Sequence, residues 1–323
     1  MNRRDFLLKS GAAASIGLFA KGPLFAQNPA FATSAASVPV QPPPPATGFQ
    51  PVRRNVGLFT GQGGMIGWLA NSEAVVAVDT QFPATAAIFL KNLPNRKART
   101  FGAVINTHHH GDHTGGNGIF RSATKTIVAQ ANVPALMRAA AARGSQPPTV
   151  AELAPMIPDA TFADAWKQDF GDETISAKYF GPAHTQGDVV VYFEKANVAH
   201  LGDLLFNRLY PVIDRPGGAN IRHWVEVLDK VVATYPKDVI FLFGHTNSKF
   251  PTTGGHADVV AFRVYLAALL PHVECEIKAR KSRDEILKLE NFPGFPDLHV
   301  PPGRGNRLPS NLTVAYEELT EAS

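Results

Sequence analysis

The densest chemistry in the chain lies in Asn106-Thr107-His108-His109-His110-Gly111-Asp112-His113-Thr114-Gly115-Gly116-Asn117. Four imidazoles and a carboxylate fall within six residues there, directly after a hydrophobic run over 101–106 that reads as a buried strand. A loop at a strand end, running into a helix, can turn several such groups to one point. Nitrogen and oxygen donors of this kind suit zinc and related divalent ions, and a catalytic site keeps an open position for water. The competing reading is a surface cluster resembling a polyhistidine tag. Three downstream motifs weigh against it: His184 in Gly181-Pro182-Ala183-His184-Thr185-Gln186-Gly187-Asp188, Asp203 in His200-Leu201-Gly202-Asp203-Leu204-Leu205-Phe206, and His245 in Phe243-Gly244-His245-Thr246. Each stands at the end of a predicted strand, where loops present functional residues and a sheet fixes them.

The elements that must position these groups follow from periodicity. Residues 56–60, 65–70 and 74–79, separated by Gly61-Gln62-Gly63-Gly64 and Asn71-Ser72, predict an antiparallel meander. Residues 84–93 and 133–142 predict helices, and 126–129 a strand. Residues 144–171, with Pro147, Pro148, Pro155 and Pro158, predict an irregular insertion able to cover a site. The second half repeats the plan, with strands over 174–180, 189–193, 198–201 and 239–243 and an amphipathic helix over 221–233. A helix over 257–289 mixes both signs of charge, as a solvated face does, and the last thirty residues predict an extended wrap or tail. Two such successions imply an α/β fold, a pair of sheets face to face with helices outside.

At this point the chain resembles the metallo-β-lactamase fold superfamily, whose His-x-His-x-Asp-His motif is matched at His108, His110, Asp112 and His113, with the later single positions at His184, Asp203 and His245. The resemblance covers roughly residues 52–250 and implies a four-layer αββα sandwich of two mixed sheets. It implies one metal on His108, His110 and His184, a second on Asp112, His113 and His245, and Asp203 as the bridge. Two Zn(2+) ions are expected, with Fe or Mn as alternatives, sharing a hydroxide that attacks the substrate. Asp112 is expected to bind metal and also to act catalytically, orienting the water or accepting its proton. His109 is expected to point elsewhere. Asp79 is either a carboxylate that orients a ligand imidazole or a turn cap. Arg208, after the bridging position, is a candidate for an anionic substrate group. His200, His223, His256, His272 and His299 have no partner spacing and read as core or surface residues.

The ends and the charge concern location. Asn2-Arg3-Arg4-Asp5-Phe6-Leu7 followed by a short apolar run resembles a twin-arginine export signal, too short to span a bilayer. The expected domains are a signal over 1–32, a Pro-rich linker over 33–50, a catalytic domain over 51–255, and a C-terminal helix and tail over 256–323 packing on it. The formal charge is 31 − 27 = +4. Removing residues 1–32 takes away Arg3, Arg4, Lys9 and Lys21 against Asp5, leaving +1, so the basic balance belongs to the signal. A nucleic-acid partner is not expected. The expected partners are a small-molecule substrate and the twin-arginine machinery, with no stable membrane anchor after cleavage and a periplasmic or secreted location.

Departures from known branches narrow the function. The antibiotic-hydrolysing branch generally lacks a bridging carboxylate, and one large group needs a cysteine ligand; the lone Cys275 stands thirty residues past His245. The histidine run with a bridging Asp resembles hydroxyacylglutathione hydrolases, although their glutathione signature is absent from Thr246-Asn247-Ser248-Lys249-Phe250. Acyl-homoserine lactonases carry a tyrosine where this chain has Phe206. The primary expectation is therefore an exported dinuclear hydrolase of an ester, thioester, lactone or amide. The alternatives are a β-lactamase, a mononuclear iron persulfide dioxygenase, which does not need His245, and a non-catalytic metal-binding protein.

Overall fold

A computed structural model describes residues 48–300 and 305–321. The expected export signal and most of the linker lie outside the described residues. Gly48 to Gln50, assigned to the linker, instead begin the first strand, because an edge strand tolerates Pro51 where a central one would not.

Strands β1 (Gly48–Arg53), β2 (Val56–Thr60), β3 (Ile66–Ala70) and β4 (Val75–Val78) form the expected antiparallel meander. Three parallel strands extend it: β5 (Ala103–Ile105), β6 (Ile127–Gln130) and β7 (Ala160–Phe162). Parallel neighbours need crossovers, and the helices supply them. Helix α1 (Pro83–Asn92) joins β4 to β5, the short α2 (Gly111–Thr114) and α3 (Asn117–Phe120) join β5 to β6, and α4 (Val133–Ala142) and α5 (Val150–Leu153) lie between β6 and β7.

The second sheet takes β8 (Ala165–Phe170), β9 (Glu173–Tyr179), β10 (Val189–Phe193) and β11 (Val198–His200) in antiparallel order. Next, β12 (Phe206–Asn207) leaves this sheet, and helix α6 (Ile221–Thr234) crosses to β13 (Ile240–Leu242), which pairs parallel with β11. The two-residue β14 (His245–Thr246) pairs with β12, and β15 (Thr253–Gly254) closes the sheet edge.

Side-chain alternation shows how the layers stack. Val76, Val78, Ala103 and Ile105 share one core with Ile175, Ala177, Val189 and Val191, which is the space between the sheets. The other faces of the same strands, at Val75, Ala77 and Val104, pack on Phe89 of α1 and Phe120 of α3. Val190, Ala199 and Phe241 pack on α6, α7 (His256–Lys278) and the C-terminal helix. Period-two strands with both faces apolar thus produce the four-layer αββα sandwich.

Three expectations fail locally. Residues 144–171 are not irregular throughout: β7 and β8 continue the two sheets as edge strands, since residues 160–170 find exposed backbone partners that outweigh the proline-rich approach. The helix expected over 257–289 ends at Lys278; Arg280 adopts φ +62°, and Ser282 with Glu285 forms a capping box that starts α8 (Arg283–Ile286). The expected tail carries α9 (Leu308–Thr320), whose buried Leu308, Leu312 and Ala315 fall on one face and join the core of α6 and α7. Among the described residues, no helix is long and apolar enough to cross a membrane.

Candidate metal centre

The seven expected residues converge at one end of the sandwich, at the carboxyl ends of strands from both sheets. His108 and His110 follow β5, Asp112 and His113 lie on α2, His184 precedes β10, Asp203 follows β11, and His245 opens β14. Two groups of donors form: His108, His110, His184 and Asp203, and Asp112, His113 and His245, with donor atoms in each group within 4.8 Å of one another. Asp203 reaches both. Its Oδ2 is 3.9 Å from His108 Nε2, 3.5 Å from His184 Nε2 and 3.4 Å from His245 Nε2, while Oδ1 is 3.0 Å from His113 Nε2. His110 Nδ1 faces His184 Nε2 at 3.0 Å, and Asp112 Oδ2 lies 3.1 Å from His245 Nε2. Ligands about 2.0–2.1 Å from a tetrahedral ion stand roughly 3.3 Å apart, so these separations fit ion-sized spaces. His108 Nε2, which faces the first of them, is buried without a hydrogen bond, as a ligand atom turned towards a cation would be.

The rings are aimed from behind. Asp79, fully buried at φ +66°, accepts from Thr107 N at 2.7 Å, from the Thr107 hydroxyl at 2.7 Å and from His113 Nδ1 at 2.7 Å. With its hydrogen committed to Asp79, Thr107 Oγ1 accepts from His108 Nδ1 at 3.1 Å. One carboxylate thus orients one ring directly and a second through a hydroxyl, leaving both Nε2 atoms towards Asp203. His184 Nδ1 donates to Val212 O at 2.8 Å, and His110 Nε2 to Asp214 Oδ2 at 2.9 Å. Sequence reasoning did not assign Thr107, Val212 or Asp214; only Asp214 left a signal, as a turn-forming Asp before Pro216-Gly217.

Two glycines allow this crowding. A Cβ on Gly64 would overlap the His113 ring, and one on Gly244 would overlap Asp203 Oδ1. Gly64→Ala is expected to destabilise the protein by about 1–3 kcal/mol and to weaken metal uptake, because Asp79 leaves His113 no room to retreat. Urea unfolding and a metal titration of the variant check both.

Electrostatics separates the rings into two kinds. Burial, reinforced by neighbouring imidazoles, holds His108 well below the usual histidine range and His184 down to about 3. Burial acts the same way on His113 and His245, but nearby carboxylates outweigh it. Asp203 and Asp79 hold His113 well above its ordinary value, and Asp203 with Asp112 lifts His245 to about 9. In turn, His113 and His245 overcome the burial of Asp112 and Asp203 and keep both below the usual carboxylate range. The same raised values favour the protonated form of both His113 and His245 in the metal-free protein at pH 7, and metal uptake must expel those protons. Calorimetric titration in buffers of differing ionisation enthalpy is expected to show proton release at pH 7 that fades as the pH rises past about 9. Release that is independent of pH would contradict this charge state.

Solvent reaches the centre from one side. The Asp112, His110 and His245 side chains are 25%, 22% and 14% exposed, whereas His108, His113 and His184 are fully buried. His109 turns from the ion spaces towards Asp214, at 3.4 Å. His200 is a satisfied core residue, with Nε2 donating to Met65 O and Nδ1 accepting from Gly202 N. Cys275 is exposed on α7. Arg208 lies over the Phe250 ring and 3.9 Å from Asp258, lining a cavity of about 250 Å³ beside α7 that none of the seven residues lines.

Four layers with a two-part His/Asp centre at the strand ends define a class: the chain belongs to the metallo-β-lactamase superfamily, whose profile matches residues 60–245. It is 30% identical over 251 residues to the hydroxyacylglutathione hydrolase of Methylococcus capsulatus, spanning 71% of this chain and 86% of that relative. Among solved structures it shares its fold with the DIM-1 metallo-β-lactamase, at TM-score 0.54 and 18% identity over 70% of this chain and 99% of that one. A metallo-β-lactamase from Pontibacter korlensis is similar at TM-score 0.53 and 19% identity, over 69% and 99% of the two chains.

Proposed function

We propose that this metallo-hydrolase is an exported dinuclear enzyme that cleaves an ester, thioester, lactone or amide of a small molecule. The observation that carries the reading is a single buried carboxylate, Asp203, shared by two ion-sized donor groups. His108, His110 and His184 would hold one divalent ion and Asp112, His113 and His245 the other, with Asp203 common to both; zinc suits this N/O donor set, and iron and manganese are the alternatives. When bound, such a pair supplies Lewis acidity and a water acidified towards neutrality.

The chain's own groups supply the rest. Asp112 faces the open side, a quarter exposed, so its carboxylate is placed to orient an incoming water and to accept its proton. Asp203, ionised and nearly buried, offsets the charge gathered on the imidazoles. Phe206, stacked at 14° on His245, shields that ring and holds its plane. The similarity to a hydroxyacylglutathione hydrolase supports testing thioesters first among the four bond types. A shared Asp203 weighs against a β-lactamase.

The test is a panel of thioesters, lactones, esters, amides and β-lactams presented to the purified mature chain with and without chelator. Turnover of at least one acyl substrate that chelation abolishes is expected. Oxygen consumption with a persulfide, and no hydrolysis, would replace the proposal with a dioxygenase. Export forms part of the proposal: changing Arg3 and Arg4 to lysine should retain the protein inside the cell, as fractionation would show.

A further inference from the structure

We infer that the turn over residues 212–217 orients one of the two metal positions and not the other, with Asp214 as its positioning residue. The inference rests on the two-ion reading above. An imidazole that offers one nitrogen to an ion keeps a proton on the other, and that N–H must find an acceptor which fixes the ring. For the His108, His110 and His184 position, two of the three acceptors come from a single turn. Val212 O takes the proton of His184 Nδ1 at 2.8 Å, and two residues later Asp214 Oδ2 takes that of His110 Nε2 at 2.9 Å.

The turn is itself rigid. Gly217 N donates to Asp214 Oδ1 at 3.1 Å and to Asp214 O at 3.0 Å, Ala219 N also donates to Asp214 O, and Gln186 N ties Gly217 O to the His184 loop. Asp214 Oδ1 is thereby occupied, and Oδ2 is left for the ring. His109 packs behind it, its buried Nε2 3.4 Å from the same oxygen. This gives the residue between two ligands a use: it walls the carboxylate in beside His110.

His109, His110 and Asp214 also stand close enough to hold an ion of their own. That reading would require His110 to lose both ring protons, because its Nδ1 already faces His184. A hydrogen bond from Nε2 to Asp214 needs no such loss. At the other position, His113 takes its orientation from Asp79. Among the described residues, the hydrogen bonds of 212–217 reach His110 and His184 but none of Asp112, His113 and His245.

The experiment is a zinc titration of the metal-free protein against a chromophoric chelator, comparing wild type, Asp214→Ala, Asp214→Asn and Asp79→Asn, with cobalt spectra as a second readout. Wild type is expected to take up two equivalents. Asp214→Ala should lower one affinity about 10–100-fold and leave the other in place, and Asp214→Asn, which keeps an acceptor oxygen, should recover most of the loss. Asp79→Asn, which reaches His113 directly and His108 through Thr107, should weaken both equivalents and so serves as the contrast to the one-sided loss in Asp214→Ala. Both affinities lowered together in Asp214→Ala, as a general loss of structure would lower them, would overturn the inference. So would unchanged affinities in Asp214→Ala, or a third equivalent in wild type that Asp214→Ala removes. Fewer than two equivalents in wild type would overturn the two-ion reading itself, and this inference with it.

Discussion

Asp203→Ala is expected to reduce hydrolysis by roughly 10³-fold or more and to leave the protein unable to retain a full complement of metal. Asp203 is the one residue whose two oxygens reach into both donor groups, and it is almost completely buried. Its charge is also what sustains the raised pKa values of His113 and His245. Alanine therefore removes the carboxylate common to both donor groups and leaves buried cationic imidazoles with less compensation. The comparison is kcat/KM and metal content for Asp203→Ala and Asp203→Asn, on whichever acyl substrate the wild type turns over. Asparagine keeps the shape and one acceptor oxygen but not the charge, so it should fall between the two. An alanine variant with wild-type turnover and two metals would remove Asp203 from the account.

Asp79→Ala is expected to cost about 3–5 kcal/mol of stability, a large effect for a residue in neither donor group. Its carboxylate accepts three hydrogen bonds inside the fold, from Thr107 N, Thr107 Oγ1 and His113 Nδ1. Truncation leaves a raised-pKa imidazole and a backbone N–H buried without an acceptor. It also places alanine at φ +66°, a conformation that Asp tolerates better. Metal affinity should fall about 10–100-fold, because both His113 and, through Thr107, His108 lose their orientation. Equilibrium unfolding of the metal-free and metal-loaded forms separates the two effects. Loss in the loaded form alone would mean that Asp79 acts only through the ligands.

Much of this centre was legible in the sequence because ligands are side chains on strand ends. Their types are distinctive, and their order along the chain carries the pattern from His108 to His245. The meander was legible too, since Gly61 to Gly64 and Asn71-Ser72 punctuate its strands. The elements that aim the ligands were less visible for a physical reason. Val212 acts through a carbonyl, which no residue type announces, and Asp214 meets His110 across 104 residues of chain. Gly64 read as a turn residue, whereas its lack of a side chain makes room for His113. In the C-terminal region the prolines dominated the reading, although Leu308, Leu312 and Ala315 already had helical spacing. Likewise β7 and β8 depend on sheet edges supplied by distant segments, which local propensity does not reveal.

On the proposed function, Asp203 joins two ion positions in a single hydrolytic centre. The deciding measurement is the metal content of the purified protein, by elemental analysis after exhaustive dialysis, alongside its activity before chelation and after metal is restored. About two divalent ions per chain are expected, with hydrolysis lost on chelation and recovered only as the second equivalent returns. A single tightly held iron, with full activity at one equivalent, would contradict it.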